Sequence, residues 1–118
     1  MKLEKKNIKE LIIKDNPNGK KDKKRLIAFF LMKDGKTRQK KFGSYGSYSF
    51  SDGAEEKIRN NYIKRHSKLN EDWNDIFSAG SLSRYVLWEF KSNNEIEKFY
   101  NRKFKIPVVK INFTRNKK

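Results

Sequence analysis

The sequence predicts an α+β fold, a small antiparallel sheet (an N-terminal hairpin plus a C-terminal strand) packed on about three helices. Three observations carry that expectation. The apolar run Leu26 to Met32 is separated from Thr37 to Phe42 by Lys33-Asp34-Gly35-Lys36, and Asp-Gly favours a tight hairpin because glycine takes positive φ freely. Ser92-x-x-Glu95 precedes Ile96, Phe99, Tyr100 and Phe104 at helical spacing, so serine and glutamate can satisfy each other's backbone donors at a helix start. Leu82 to Phe90 carries apolar residues at 82, 85, 86, 87, 88 and 90, too many for one stripe. That helix is expected to be covered on most of its circumference, with Trp88 in the core and Trp73 plugging the core's end.

The other elements follow in order. Asn7 to Lys14 is short and mixed, but its β-branched content leans to a strand. Asp15-Asn16-Pro17-Asn18-Gly19 reverses the chain, because proline fixes φ and Asn-Gly tolerates positive φ; Lys20 to Arg25 follows as a basic loop. The second hairpin strand is polar at nearly every position, so one sheet face is expected to meet solvent or a ligand and to be cationic. Gly43 to Phe50 is a loop of small residues and spaced rings. Asp52 stands three residues before Glu55, the spacing of a capping box, and starts a helix reaching about Ser67. Ser78, Ala79, Gly80 and Ser81 form a small-residue turn suited to starting the apolar helix. Ile106 to Phe113 alternates after Pro107 and reads as a strand, at a sheet edge or extending to a partner.

A chain of 118 residues is expected to be one domain, 1–118, with 1–6 and 114–118 as flexible ends, burying roughly two-thirds of its unfolded surface. Hydrophobic residues are only 35% but aromatics are 14%, so the core must be small and rich in rings. The absence of cysteine excludes disulfides, thiolate zinc sites and cysteine nucleophiles. No apolar run approaches the ~20 residues that span a bilayer, and Met1 to Lys6 lacks the apolar stretch of a secretion signal. The expectation is a protein that is neither secreted nor membrane-bound.

The net charge is +16 and unevenly placed: 15 Lys and Arg against 5 acids in residues 1–49, 8 against 9 in 50–100, and 7 against none in 101–118. A near-neutral middle with basic flanks suits a folded core that presents cations to a polyanion. Nucleic acid, DNA ahead of RNA, is favoured over a membrane, because no helix sets a basic face against a strongly apolar one. The candidate binding residues are Lys20, Lys21, Lys23, Lys24 and Arg25; Arg38, Lys40 and Lys41; Arg59 and Lys64; and Arg102, Lys103 and Lys105. Tyr45 is the ring placed to stack on a base. The plainer alternative is that Tyr45, Tyr48 and Phe50 simply cover the sheet.

Catalytic constellations are sparse. His66 is the single histidine, so a two-histidine metal site within the chain is excluded, and its place in a last helical turn suits the helix dipole. Glu71, Asp72 and Asp75 could hold Mg²⁺ in a nuclease, but such sites draw ligands from separated segments, and a salt-bridged loop or a cap is the simpler reading. There is no phosphate-cradling Gly-x-x-x-x-Gly-Lys, serine elbow or zinc-finger spacing. No catalytic residue, metal or cofactor is expected.

Phe42-Gly43 with its Gly/Tyr/Ser loop, Tyr62-Ile63-x-Arg65-His66, Glu71-Asp72-Trp73, Ala79-Gly80-Ser81-Leu82-Ser83-Arg84-Tyr85-Val86-Leu87-Trp88 and Arg102-x-Phe104 resemble, in that order, a family of small basic proteins of nucleocytoplasmic large DNA viruses. The resemblance runs over about residues 8 to 104 and departs at Ser49 to Ala54, where the family has an Asp-Tyr and a His-Lys-Asp, and at Glu89-Phe90-Lys91, where a proline often follows. It implies viral origin and assigns no activity. Together the readings lead to a non-enzymatic viral protein, in the virion or the host cytoplasm or nucleus, binding nucleic acid largely without sequence preference through its basic flanks, with genome packaging as a setting. The alternative is a structural protein of the particle, a minor capsid or core component contacting other virion proteins. A metal-dependent nuclease is a distant third.

Overall fold

Four strands make one sheet in the computed structural model, which describes residues 7–68 and 73–117. They are β1 (Ile8–Asp15), β2 (Lys24–Met32), β3 (Thr37–Ser44) and β4 (Val108–Asn112), ordered β3-β2-β1-β4. The predicted β2–β3 hairpin forms around Asp34-Gly35, with Gly35 at φ +88, and β1 pairs antiparallel with β2. β4 runs parallel to β1, so the sheet is mixed and the antiparallel expectation fails for this strand. The reason lies in helix α4 (Asn93–Lys103), which packs on β4 and returns the chain to the end of the sheet where β1 begins; a parallel pair needs such a long connection. β4 is an edge strand just after Pro107, and α4 covers part of its free edge: Asn93 Nδ2 donates to the Ile111 carbonyl (3.0 Å) and the Ile111 N–H to Glu97 Oε1 (3.2 Å).

The β1–β2 connection is more ordered than a loop. Asn16 Oδ1 accepts from the Asn18 N–H (3.0 Å), its Nδ2 donates to Asp22 and to the Lys24 carbonyl, and one helical turn, α1 (Gly19–Asp22), sits between. The predicted basic loop is thus divided, Lys20 and Lys21 lying in α1 and Lys24 and Arg25 in β2.

Period-two alternation sorts the sheet's faces. Leu11 and Ile13 of β1, Leu26, Ala28 and Phe30 of β2 and Phe42 of β3 share one fully buried face, packed against Leu82, Val86, Leu87, Ile96, Tyr100 and Phe104. The opposite face carries Ile12, Ile27, Phe29, Leu31 and Val108, which lie outside that cluster although Ile27 is itself buried, together with Lys14, Lys41 and the ion pair of Glu10 with Lys110. The predicted open face therefore exists, but it is an apolar stripe rimmed by lysines and not a purely cationic surface. Rings do much of the packing on the covered side: the Tyr85 and Phe99 centroids are 4.3 Å apart and those of Phe30 and Phe77 4.6 Å.

One helix start differs from the sequence reading. Asp52 belongs to a capping box with Ser49 around a short 3₁₀ turn (Phe50–Asp52), and helix α2 (Glu56–Ser67) begins after Gly53 at φ +118. The carboxylate that would have capped α2 turns back instead to the Ser49 N–H and hydroxyl (2.7 and 2.8 Å) and to Arg25. The end of α2 at Ser67 is as predicted. Helix α3 (Ala79–Leu82) starts on Ser78, whose hydroxyl accepts from the Ser81 N–H (3.1 Å). It continues through Ser83–Trp88 as a π-helix, closed by the Glu89 N–H donating to the Arg84 carbonyl at 2.7 Å. The wider winding buries Tyr85, Val86 and Leu87 in succession and turns Trp88 to a half-buried position, so Trp88 leaves the centre of the core. Ser51 Oγ supports the segment from below, donating toward the Val86 and Phe90 carbonyls.

A polar hub ties the chain's two halves together. Arg25 is only 6% exposed and grips Asp52 with both terminal guanidinium nitrogens; its Nη2 also donates to the Thr114 carbonyl (2.9 Å). The Asn116 N–H donates to Asp52 (2.7 Å), and the Thr114 N–H and hydroxyl donate to Asp15. Residues 114–116, expected to be a free tail, are therefore tied across the sheet end, because their polar groups meet two carboxylates and Arg25. Residues 1–6 and 118 lie outside the described residues.

Burial alone would raise the Asp52 carboxyl, but the Arg25 bond and the donors from Ser49 and Asn116 outweigh it and hold it below its ordinary 3.8. A depressed carboxyl stabilises the fold above its unfolded value and loses that contribution as pH falls through the folded value. Urea midpoints should hold between about pH 5 and 7 and then fall below about pH 4, less steeply in Asp52→Asn. Equal acid slopes in the two proteins would show that another group carries the acid sensitivity.

Candidate nucleic-acid interface

Lys20, Lys21, Lys23 and Lys24 are all exposed at the α1 end of the sheet. Lys41 joins them through Asp22 (2.7 Å), and Tyr45 lies over Gly19, where an added Cβ would stand 3.1 Å from its ring, with 56% of the residue exposed. The hydrogen bond from Lys41, followed by that from Asn16, keeps the Asp22 carboxyl below its ordinary value. One end of the domain thus gathers lysines and a ring from segments some twenty residues apart in sequence.

The other predicted residues scatter. Arg38 and Lys40 are exposed further along β3, on an edge strand whose charges also guard against strand addition. Lys64 is exposed on α2; Arg102 and Lys103 stand at the end of α4 beside Phe90 and Phe99, with Lys105 just after. Two residues do not serve as surface cations. Arg25 is buried in the Asp52 hub, and Arg59 is half-buried, paired with Glu89 (3.2 Å) with its guanidinium over the Phe50 ring.

Beside the lysine-rich end, β3, α2 and the α3–π helix enclose a groove of about 390 Å³. Tyr62 and His66 are four residues apart on α2, so they share a face. Their rings stack at 4.1 Å, and Tyr62 stacks on Trp88 at 4.3 Å with only 11° between planes, making a ladder of three rings along one wall. Lys24 and Arg65 line the same groove, and none of its lining residues is acidic. Gly43 lets the floor close: it sits at φ +78, and an added Cβ would lie 2.9 Å from Leu87 Cδ1. Sequence reasoning left Arg65, His66 and Gly43 out of the site and put Trp88 in the core. The i, i+4 spacing of Tyr62 and His66 was the available signal; the π-helical winding that places Trp88 on Tyr62 had none.

The acidic cluster is only partly visible, since Glu71 and Asp72 lie outside the described residues. Asp75 accepts from the Phe77 N–H (3.0 Å), and among the described residues no group of three His, Cys, Asp or Glu is placed to hold a metal ion. Trp73 is half-buried against the core with the Arg84 guanidinium 4.7 Å from its ring centre. Among the described residues no helix is long and apolar enough to cross a membrane.

The segments that meet in the groove, Phe42-Gly43, Tyr62 to His66 and Ala79 to Trp88, are among those that carried the resemblance to giant-virus proteins. No family model and no solved structure matches the chain. An uncharacterized protein, L851, of Acanthamoeba polyphaga mimivirus is 38% identical over 73 residues, an alignment covering 58% of this chain and 73% of the relative. With that identity across most of the relative, this chain belongs to the giant-virus protein family that includes L851.

Proposed function

We propose that this protein is a non-enzymatic nucleic-acid-binding protein, DNA ahead of RNA and largely without sequence preference, acting in the packaging of a viral genome. The observation that carries the reading is the gathering of Lys20, Lys21, Lys23, Lys24, Lys41 and Tyr45 at one end of the sheet, next to a groove lined by cations and rings. Lysines contact phosphates as point charges and release counterions, which gives affinity without base readout. Random duplex DNA should bind with a slope of about −4 to −8 in log K against log salt. Replacing Lys20, Lys21, Lys23 and Lys24 by glutamine should flatten that slope by about 4 and leave thermal stability nearly unchanged, because exposed charges contribute little to folding. Absence of binding at low salt would sink the proposal.

A second reading, a structural component of the particle, is supported by the uncovered sheet face. Half-buried Ile12, Phe29 and Leu31 flank a buried Ile27 at its apolar centre, with Lys14, Lys41 and the Glu10–Lys110 ion pair around it, an arrangement that suits a protein-contact surface. A large loss of stability on the lysine replacements, without loss of DNA affinity, would favour it.

A further inference from the structure

We propose that the groove between β3, α2 and the π-helical segment is a binding site for one unpaired nucleotide of a nucleic-acid strand. The base adds to the Trp88 end of the Trp88–Tyr62–His66 ladder, and the flanking phosphate is held by Lys24 and Arg65. The inference rests on the nucleic-acid reading above and gives it a site and a strand preference. Its grounds are geometric.

The ladder rings lie 4.1 and 4.3 Å apart, too close for a base to enter between them, so an incoming base extends the stack from an outer face. Every base has a π-face, which makes such a contact tolerant of sequence. The groove's volume, about 390 Å³, is of the size that holds a small ligand, and a single nucleotide is on that scale. Its wall is cationic at Lys24 and Arg65 and carries no carboxylate, which suits a phosphate; Ser44 and Ser83 are also among the lining residues. A base inside a duplex has both faces already stacked and cannot reach a ring wall set within a groove, so the occupant is a nucleotide from a single strand, a loop or a flipped position. Lys24 belongs both to the groove and to the exposed lysine cluster, so one strand could run from the lysines into the groove. A π-helical segment supplying the end ring fits the frequent occurrence of such segments at binding sites.

The test uses two full-length single-tryptophan variants. In Trp73→Phe the remaining tryptophan is Trp88; in Trp88→Phe it is Trp73. Each is titrated with oligo(dT), oligo(U) and a duplex of equal length at moderate salt. The expected result is a strong quench of Trp88 by a single strand that the duplex does not reproduce, no comparable quench of Trp73, and single-strand affinity about tenfold or more above duplex affinity. Arg65→Gln, a change at an exposed side chain, should lower single-strand affinity about five- to tenfold and duplex affinity less than about twofold. Duplex binding as tight as single-strand binding, or a Trp88 signal unmoved by bound single strand, overturns the site and leaves the general nucleic-acid reading standing. If neither strand form binds at low salt, that reading falls and this one with it.

Discussion

Arg25→Met is expected to destabilise this protein by about 3–5 kcal/mol, because it leaves the buried Asp52 carboxylate without its partner. Domains of this size are typically stable by about 5–15 kcal/mol, so the melting temperature should fall by roughly 10–20 °C. The effect extends beyond the pair. Arg25 also holds the Thr114 carbonyl, and Asp52 holds the Asn116 N–H, so the C-terminal residues should loosen with it and their amides should exchange faster. Adding Asp52→Asn removes the stranded charge and should recover part of the loss, as replacing both partners of a buried pair commonly does. Calorimetry on both single variants and the double variant measures the coupling. Strictly additive losses, or a loss under about 1 kcal/mol for Arg25→Met, would mean that the pair is a surface contact in solution.

Phe30→Ala and Phe29→Ala should differ by several-fold although the residues are neighbours in β2. Phe30 is wholly buried between the sheet and Phe77, so truncating it leaves a cavity and should destabilise the fold by about 3–5 kcal/mol. Phe29 points to the uncovered face, opposite Ile12 and Gln39, where solvent replaces the lost ring and the expected loss is below about 1.5 kcal/mol. Urea midpoints of the two variants decide it. Similar losses would show that the second sheet face is covered, which would also remove the main support for a particle-contact role.

Much of the architecture was readable because its signals are local. Asp34-Gly35 needs only glycine's tolerance of positive φ, Ser92 and Ser78 need only a hydroxyl within reach of the next turn, and the alternation in β1 and β2 needs only the two-residue period. The misreadings concern residues with several partners to choose from. Asp52 has the right spacing to cap a helix at Glu55, but Arg25, distant in sequence, offers a stronger partner, and the carboxylate turns to it. Arg25 is one cation in a basic run by sequence and a buried structural residue in the fold.

The amino-acid sequence by itself determined the mixture of strands and helices, the ring-rich core and the strong positive charge, since propensity, periodicity and composition act through neighbours a few residues apart. Tertiary structure alone decided that β4 lies parallel to β1, that Arg25 and Asp52 close a hub over the C-terminal residues, and that Trp88 stands on Tyr62 at the wall of a groove. Each of these joins segments from about 25 to 100 residues apart. Which partner wins there depends on desolvation and on the space left by the rest of the core, quantities that exist only once the whole chain has folded.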